Sequence, residues 1–142
     1  YGLREEQLKH YYRQALQSRS ETGPLLIQML ESRLDNAVFR AGLAQTRPQA
    51  RQMVSHGMFL VNGRRVDVPS QRLAVDDIVT IKENKRTSAL FDNFAKRMQN
   101  VRLPEWLQLD TSAYSFKVVA EPQPEQAGLG VDIRAVVELF AR

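Results

Sequence analysis

Asn62-Gly63, set between Met58–Val61 and Arg64–Val68, restricts the backbone more tightly than any other stretch of this sequence. Both central positions of a two-residue hairpin turn need positive φ, which asparagine tolerates and glycine adopts freely. The flanking segments are therefore predicted to be antiparallel strands, with Arg64 and Arg65 emerging at the tip. Pro69-Ser70 breaks the second strand, Asp76-Asp77 makes a turn, and Ile78 to Lys82 alternates as a further strand.

Two helices are predicted ahead of the hairpin. At about 100° per residue, Leu34, Val38 and Ala41 line one face of the first, Arg33, Asn36 and Arg40 line the other, and Gly42 supplies a C-terminal stop. Thr46, with Gln49 three residues on, has the pattern of a capping box for the second, and Pro48 is tolerated in its first turn. Ala50, Met53 and Val54 are expected to face inward, while Arg47, Arg51 and Ser55 stack outward. Gly57 ends the helix.

The flanks carry weaker signals. From Arg4 to about Ser18, Leu8, Tyr11, Tyr12, Ala15 and Leu16 form an apolar stripe with Lys9 and Arg13 on the adjoining face, as on an amphipathic helix. Gly23-Pro24 opens a second, nearly all-apolar helix that runs into or breaks near Ser32. Beyond a polar hinge from Glu83 to Arg86, Leu90, Phe91, Phe94, Ala95 and Met98 mark a helix capped by Thr87 or Ser88. Pro104 to Leu107 is read as a turn holding the sole tryptophan, Tyr114 to Val119 as a strand, and Glu121 to Gly130 as a loop. Ile133, Val136, Val137 and Phe140 predict a closing amphipathic helix.

Composition narrows the chemistry. A chain of 142 residues with 43% hydrophobic residues can bury a core, in one domain or two small ones. Without cysteine there is neither a disulfide nor a thiolate metal site, and His10 and His56 lie far apart in sequence. No stretch is apolar enough to span a bilayer and no signal-peptide pattern opens the chain, so a soluble, unsecreted protein is expected. Residues 1–97 carry 16 Lys+Arg against 10 Asp+Glu, whereas residues 98–142 carry four against six. The basic footprint belongs to the first two thirds.

Between Ser32 and Val68 the cations are six arginines and no lysine. A guanidinium is planar, forked and permanently charged, so it grips phosphate oxygens two at a time. Two helices and a hairpin would gather Arg33, Arg40, Arg47, Arg51, Arg64 and Arg65 at one concave corner. Such a corner suits folded RNA, which proteins recognise mostly through phosphates, 2′-hydroxyls and shape. Asn36, Gln49, Gln52 and Asn62 could add hydrogen bonds to sugars and base edges. The competing reading is that the arginines are solvated, with internal ion pairs such as Arg33 or Arg40 with Asp35. His56 reads as a helix-terminal hydrogen bonder, Asp35 and Asp76-Asp77 as structural, and Tyr11, Tyr12 and Trp106 as core.

The segment Ser32 to Ser70, SRLDNAVFRAGLAQTRPQARQMVSHGMFLVNGRRVDVPS, resembles the RNA-binding module of the bacterial small-subunit ribosomal protein S-four family. The opening YGLREEQLKHYY resembles that family's first helical domain, PEWLQLD a segment beyond the module, and VDIRAVVELFAR its closing helix. The resemblance implies an α+β protein: a helical domain with an inserted RNA-binding module of two short helices packed on a small, mostly antiparallel β-sheet. Residues 1–31 with about 129–142 would form the helical domain, and about 32–128 the RNA-binding domain, with its motif core at 32–82 and a C-terminal helix and strand.

It further implies a structural component of the small subunit in the cytoplasm. Such a protein binds a folded multi-helix junction in the 5′ domain of small-subunit ribosomal RNA and nucleates assembly. Small-subunit ribosomal protein five would be its neighbour, near the channel through which messenger RNA enters. Arg33, Asn36, Arg40, Thr46, Arg47, Gln49, Arg51, Gln52, His56, Asn62, Gly63, Arg64 and Arg65 match the module's polar surface. Tyr1, Arg4, Lys9 and Arg13 match the RNA-facing side of the first domain. No catalytic residue, metal ligand, cofactor, membrane or small-molecule substrate is implied.

Three departures bear on the transfer. The sequence starts after the family's basic N-terminal arm, which in some members holds a cysteine cluster, so contacts made by that arm are unassigned. Met58 stands where the family often has histidine, and AEPQPEQAGLG is unlike its usual linker. Two other classes compete. Arg33-Leu34-Asp35 spells a tripeptide found around the catalytic aspartate of some pseudouridine synthases, but those need a large catalytic domain after the module. A stand-alone stress or assembly factor carrying the module would lack the helical flanks.

Overall fold

The Asn62-Gly63 turn closes with φ of 52° and 80°, joining β1 (Phe59–Val61) to β2 (Arg64–Arg65) in antiparallel register. This is seen in a computed structural model that describes residues 2–16, 22–87, 91, 94–99 and 101–123. β2 is shorter than expected, because the chain from Val66 onward leaves the sheet. The remaining strands are β3 (Ile78–Ile81), β4 (Leu107–Asp110) and β5 (Ser115–Val118), and the sheet order is β2-β1-β3-β5-β4. Every pairing is antiparallel.

β4 is a correction. The turn expected over Pro104 to Leu107 is confined to Glu105 and Trp106, and Leu107 pairs with Val118. Leu107 and Leu109 alternate with Gln108 and Asp110, the signal of a half-buried strand in too short a run to stand out. Tyr114, with φ of 51°, closes the turn between β4 and β5. β5 therefore starts at Ser115 rather than at Tyr114.

Among the described residues five α-helices accompany the sheet: α1 (Glu5–Leu16), α2 (Thr22–Glu31), α3 (Leu34–Arg40), α4 (Arg47–Ser55) and α5 (Phe94–Met98). Leu34, Ala37, Val38 and Ala41 of the α3 segment and Ala50, Met53 and Val54 of α4 pack on Phe59, Val79, Ile81, Phe116 and Val118. α5 joins the same core through Phe94 and Met98, and its Phe94 ring stacks on Tyr114 at 4.9 Å. A second core lies between α1 and α2, where Ala15, Leu26, Met29 and Leu30 are buried together. Ser88 to Leu90, the loop beyond Gln123 and the predicted closing helix through Ile133, Val136, Val137 and Phe140 lie outside the described residues.

Local chemistry sets the ends of α3 and α4. The first amides of α3 are met by backbone: Leu34 N donates to Gln71 O at 2.8 Å and Asp35 N to Pro69 O at 3.1 Å. Gly42 follows with φ of 83° and lies so close to Val101 that an added Cβ would fall 2.8 Å from a methyl. Thr46 caps α4, its Oγ1 accepting from Gln49 N at 3.1 Å. The reciprocal half of the capping box shifts by one residue, since Gln49 Oε1 accepts from Gln45 N at 2.7 Å. Thr46→Ala should cost about 1 kcal/mol of stability, and an unchanged urea midpoint would show that the cap contributes nothing.

Candidate nucleic-acid interface

α3 is buried nearly all round, which overturns the expected outward face for two of its polar residues. Arg33 is 5% exposed and Asn36 2%. The reason is long-range: Glu31 at the end of α2 bonds to Asn36, and the 69–73 segment bonds to the backbone around the start of α3. Arg33 forms an isolated antiparallel bridge with Arg72 in that segment.

Two buried carboxylates, Asp35 and Glu31, hold Arg33 and its partly exposed neighbours Arg51 and Arg40. Asp35 takes Arg33 in a bidentate pair, Nε to Oδ1 and Nη2 to Oδ2, each at 3.0 Å. Arg33 Nη1 also donates to the Tyr11 hydroxyl at 3.2 Å, tying α1 to the start of α3. Burial pulls the Arg33 pKa down, but the hydrogen bond and charge of Asp35, joined by Tyr11, outweigh it and leave the pKa raised. Arg51 Nε approaches Asp35 Oδ2 at 3.7 Å, and its Nη2 donates to Gly2 O at 3.2 Å. The internal pair considered for Arg33 with Asp35 is present. Arg40 pairs with Glu31 instead, Nη2 to Oε1 at 2.9 Å.

The remaining candidates form a partly exposed surface along α4 and the hairpin. Arg40 keeps 25% of its side chain exposed and Arg51 36%, while Arg47 lies over the Phe39 ring at 4.5 Å. Thr46, Gln52, His56, Gly63, Arg64 and Arg65 are exposed, and Gln49 is half-buried. Gly57 ends α4 with φ of 72°, and Arg65 lies across it, 2.7 Å from where a Cβ would stand. The hairpin thus leans its second arginine on the C-terminal end of α4, where the helix dipole favours a cation. Asn62 is exposed, but its amide is used internally, donating to Asp77 Oδ1 and accepting from Ile78 N, both at 2.9 Å. It shapes the hairpin that carries Arg64 and Arg65.

Of the candidates at the N-terminal end, Arg4, just ahead of α1, joins this surface. It lines a cleft with Gly2, Gln7, Arg33, Arg51 and Ser70. Lys9 and Arg13 sit two residues to either side of Tyr11, the residue that touches Arg33, so helical phase turns them away from the module. Lys9 pairs with Glu5 at 3.5 Å. Tyr1 lies outside the described residues. Sequence reading missed two residues. Arg72 is exposed and lines a second cleft with His10, Tyr11, Gln14 and Arg33, a placement that depends on its bridge to Arg33. Glu31 is 1% exposed, and its only signal was an acid closing an otherwise apolar helix.

The end of α3, α4 and the hairpin offer forked cations and amides, groups suited to phosphate and sugar. Among the described residues no group of three or more His, Cys, Asp or Glu could hold a metal ion, and no helix is long and apolar enough to cross a membrane.

Two short helices on an antiparallel sheet, with a basic hairpin beside them, define the class of module that residues 32–79 match, the S4 domain. The likeness extends well beyond it. The chain is 43% identical over 140 residues to small ribosomal subunit protein uS4 of Persephonella marina, covering 99% of this chain and 68% of the relative. It is 41% identical over 142 residues to uS4 of Cutibacterium acnes, covering 100% of this chain and 71% of that one. Against uS4 of Clostridium beijerinckii identity is 41%, covering 100% and 68%. The chain belongs to the uS4 family of small-ribosomal-subunit proteins.

Proposed function

We propose that this chain is a structural, non-enzymatic component of the small ribosomal subunit that binds ribosomal RNA with the end of α3, the surface of α4, the β1–β2 hairpin and the segment leading into α1. The observation that carries the reading is the set of Arg40, Arg47, Arg51, Arg64 and Arg65, drawn from two helices and a hairpin and left wholly or partly exposed. Membership of the uS4 family, over nearly the whole chain, supports the partner.

In finer detail, the RNA target is a folded multi-helix junction in the 5′ domain, bound early so that the protein nucleates assembly. Small-subunit ribosomal protein five is the neighbour, close to the channel through which messenger RNA enters, in the cytoplasmic ribosome. Residues 1–31 belong to a helical domain distinct from the module of about 32–128, and the separate core between α1 and α2 supports that division; the remainder of the domain, expected at about 129–142, lies outside the described residues. Within the RNA surface, Arg33, Asn36 and Asn62 act as supports of the contact residues, and Thr46, Gln49, Gln52, His56, Gly63 and Arg4 contribute polar contacts. Lys9 and Arg13 would meet RNA only where it wraps around the far side of α1.

Hydroxyl-radical footprinting of small-subunit ribosomal RNA tests this. Protection should cluster at one junction in the 5′ domain. Protection scattered evenly along the RNA, or none, would overturn the reading.

A further inference from the structure

Glu31 ends α2 with a carboxylate that is almost wholly buried. A buried charge costs free energy unless it is paired, and here the pairing is directional. Arg40 donates to both oxygens, Nη2 to Oε1 at 2.9 Å and Nε to Oε2 at 3.3 Å. Asn36 Nδ2 donates to Oε2 at 2.7 Å and to the Glu31 carbonyl at 2.8 Å. An amide has one donor end and one acceptor end, so committing Nδ2 to Glu31 turns Oδ1 the other way. There it accepts from Arg47 Nη1.

We infer that Glu31 is a positioning residue for the RNA surface, setting the Arg40 guanidinium directly and the Arg47 guanidinium through the Asn36 amide. The inference rests on the RNA-binding reading given above. The two arginines belong to different helices, and Glu31 itself sits at the end of a third. A long cationic side chain that is already held loses less rotamer freedom on meeting a phosphate, so pre-orientation raises affinity without adding a contact. A neutral side chain at position 31 would also weaken the preference that keeps the Asn36 side-chain amide in one orientation, because the carboxylate is lost and the Glu31 backbone carbonyl remains as its fixed acceptor.

A double-mutant cycle isolates the effect. Glu31→Gln keeps the shape and removes the charge, and is compared in the wild-type and Arg40→Ala/Arg47→Ala backgrounds at a temperature where melts show each variant folded. Affinity for small-subunit ribosomal RNA should fall about ten-fold in the first background and by less than about two-fold in the second. Equal losses in both would overturn the inference. A structural role alone would lower the melting temperature and leave the cycle additive.

Nitrogen-15 relaxation of the Arg40 and Arg47 Nε–H groups in the free protein gives an independent readout. Both should be ordered in the wild type and mobile in Glu31→Gln, and unchanged order would also overturn the inference. Should Glu31→Gln not fold, Asn36→Ala carries the test: it should loosen Arg47 and leave Arg40 ordered. Wild-type protein that bound no RNA would overturn the functional reading, while the relaxation data would still decide whether Glu31 holds the two arginines.

Discussion

Asp35→Ala should destabilise the protein by about 3–5 kcal/mol, because it leaves a buried guanidinium without its counter-charge. Asp35 accepts both forks of Arg33, accepts from the Asn36 backbone N–H at 2.7 Å and lies near Arg51. Its removal strands a cation that is 5% exposed and cannot lose its proton. Replacing Arg33 as well, by methionine, should recover a large part of the loss, since no charge then remains buried. Urea unfolding of the single and double variants checks both statements. A single variant within about 1 kcal/mol of the wild type would mean that Arg33 reaches water or another partner readily.

Arg64→Ala with Arg65→Ala should leave the fold intact and weaken binding to ribosomal RNA about a hundred-fold or more at low salt. Each charge-assisted hydrogen bond contributes about 1.5–3 kcal/mol, and two are removed. Both side chains are exposed on the two-residue strand β2. Arg65 lies 4.0 Å from Asp67 across a solvated gap, a pair of little stabilising value. These two arginines therefore separate recognition from folding better than Arg47 or Arg51, which also brace Asn36 and Asp35. Lys117→Ala is the control: Lys117 sits on β5, paired with Asp76 at 3.7 Å. Equal losses from the arginine pair and from Lys117 would place the RNA surface elsewhere.

What could be read from the sequence was local. The hairpin turn, the Thr46 cap and the inward set of Ala50, Met53 and Val54 depend on residues within a few positions of one another, and each is present. What could not be read depends on distant chain. Helical phase gave α3 an apolar and a polar side, and its apolar side packs as expected. Its polar side was expected in solvent, but Glu31 at the end of α2 bonds to Asn36 there, and the 69–73 segment bonds to the backbone around its start. Arg33 and Asn36 thereby became buried supports, and Glu31, an unremarked acid, became the partner of both Asn36 and Arg40.

β4 escaped for a related reason, since four alternating residues make a strand only when β5 is there to pair with them. For the RNA surface itself, composition identified the cations, and packing then divided them. Arg40, Arg47, Arg51, Arg64 and Arg65 remain wholly or partly exposed, while Arg33 is buried.

The salt dependence of binding counts the cations in use. Six arginines would give a log-log slope of about −5 with the duplex coefficient, and the five left after Arg33 is withdrawn would give roughly −4.5. Cations from α1 would make it steeper. A filter-binding titration of small-subunit ribosomal RNA over a range of salt should therefore return a slope of about −4 or steeper. A slope near zero would contradict the claim that this surface holds RNA by its phosphates.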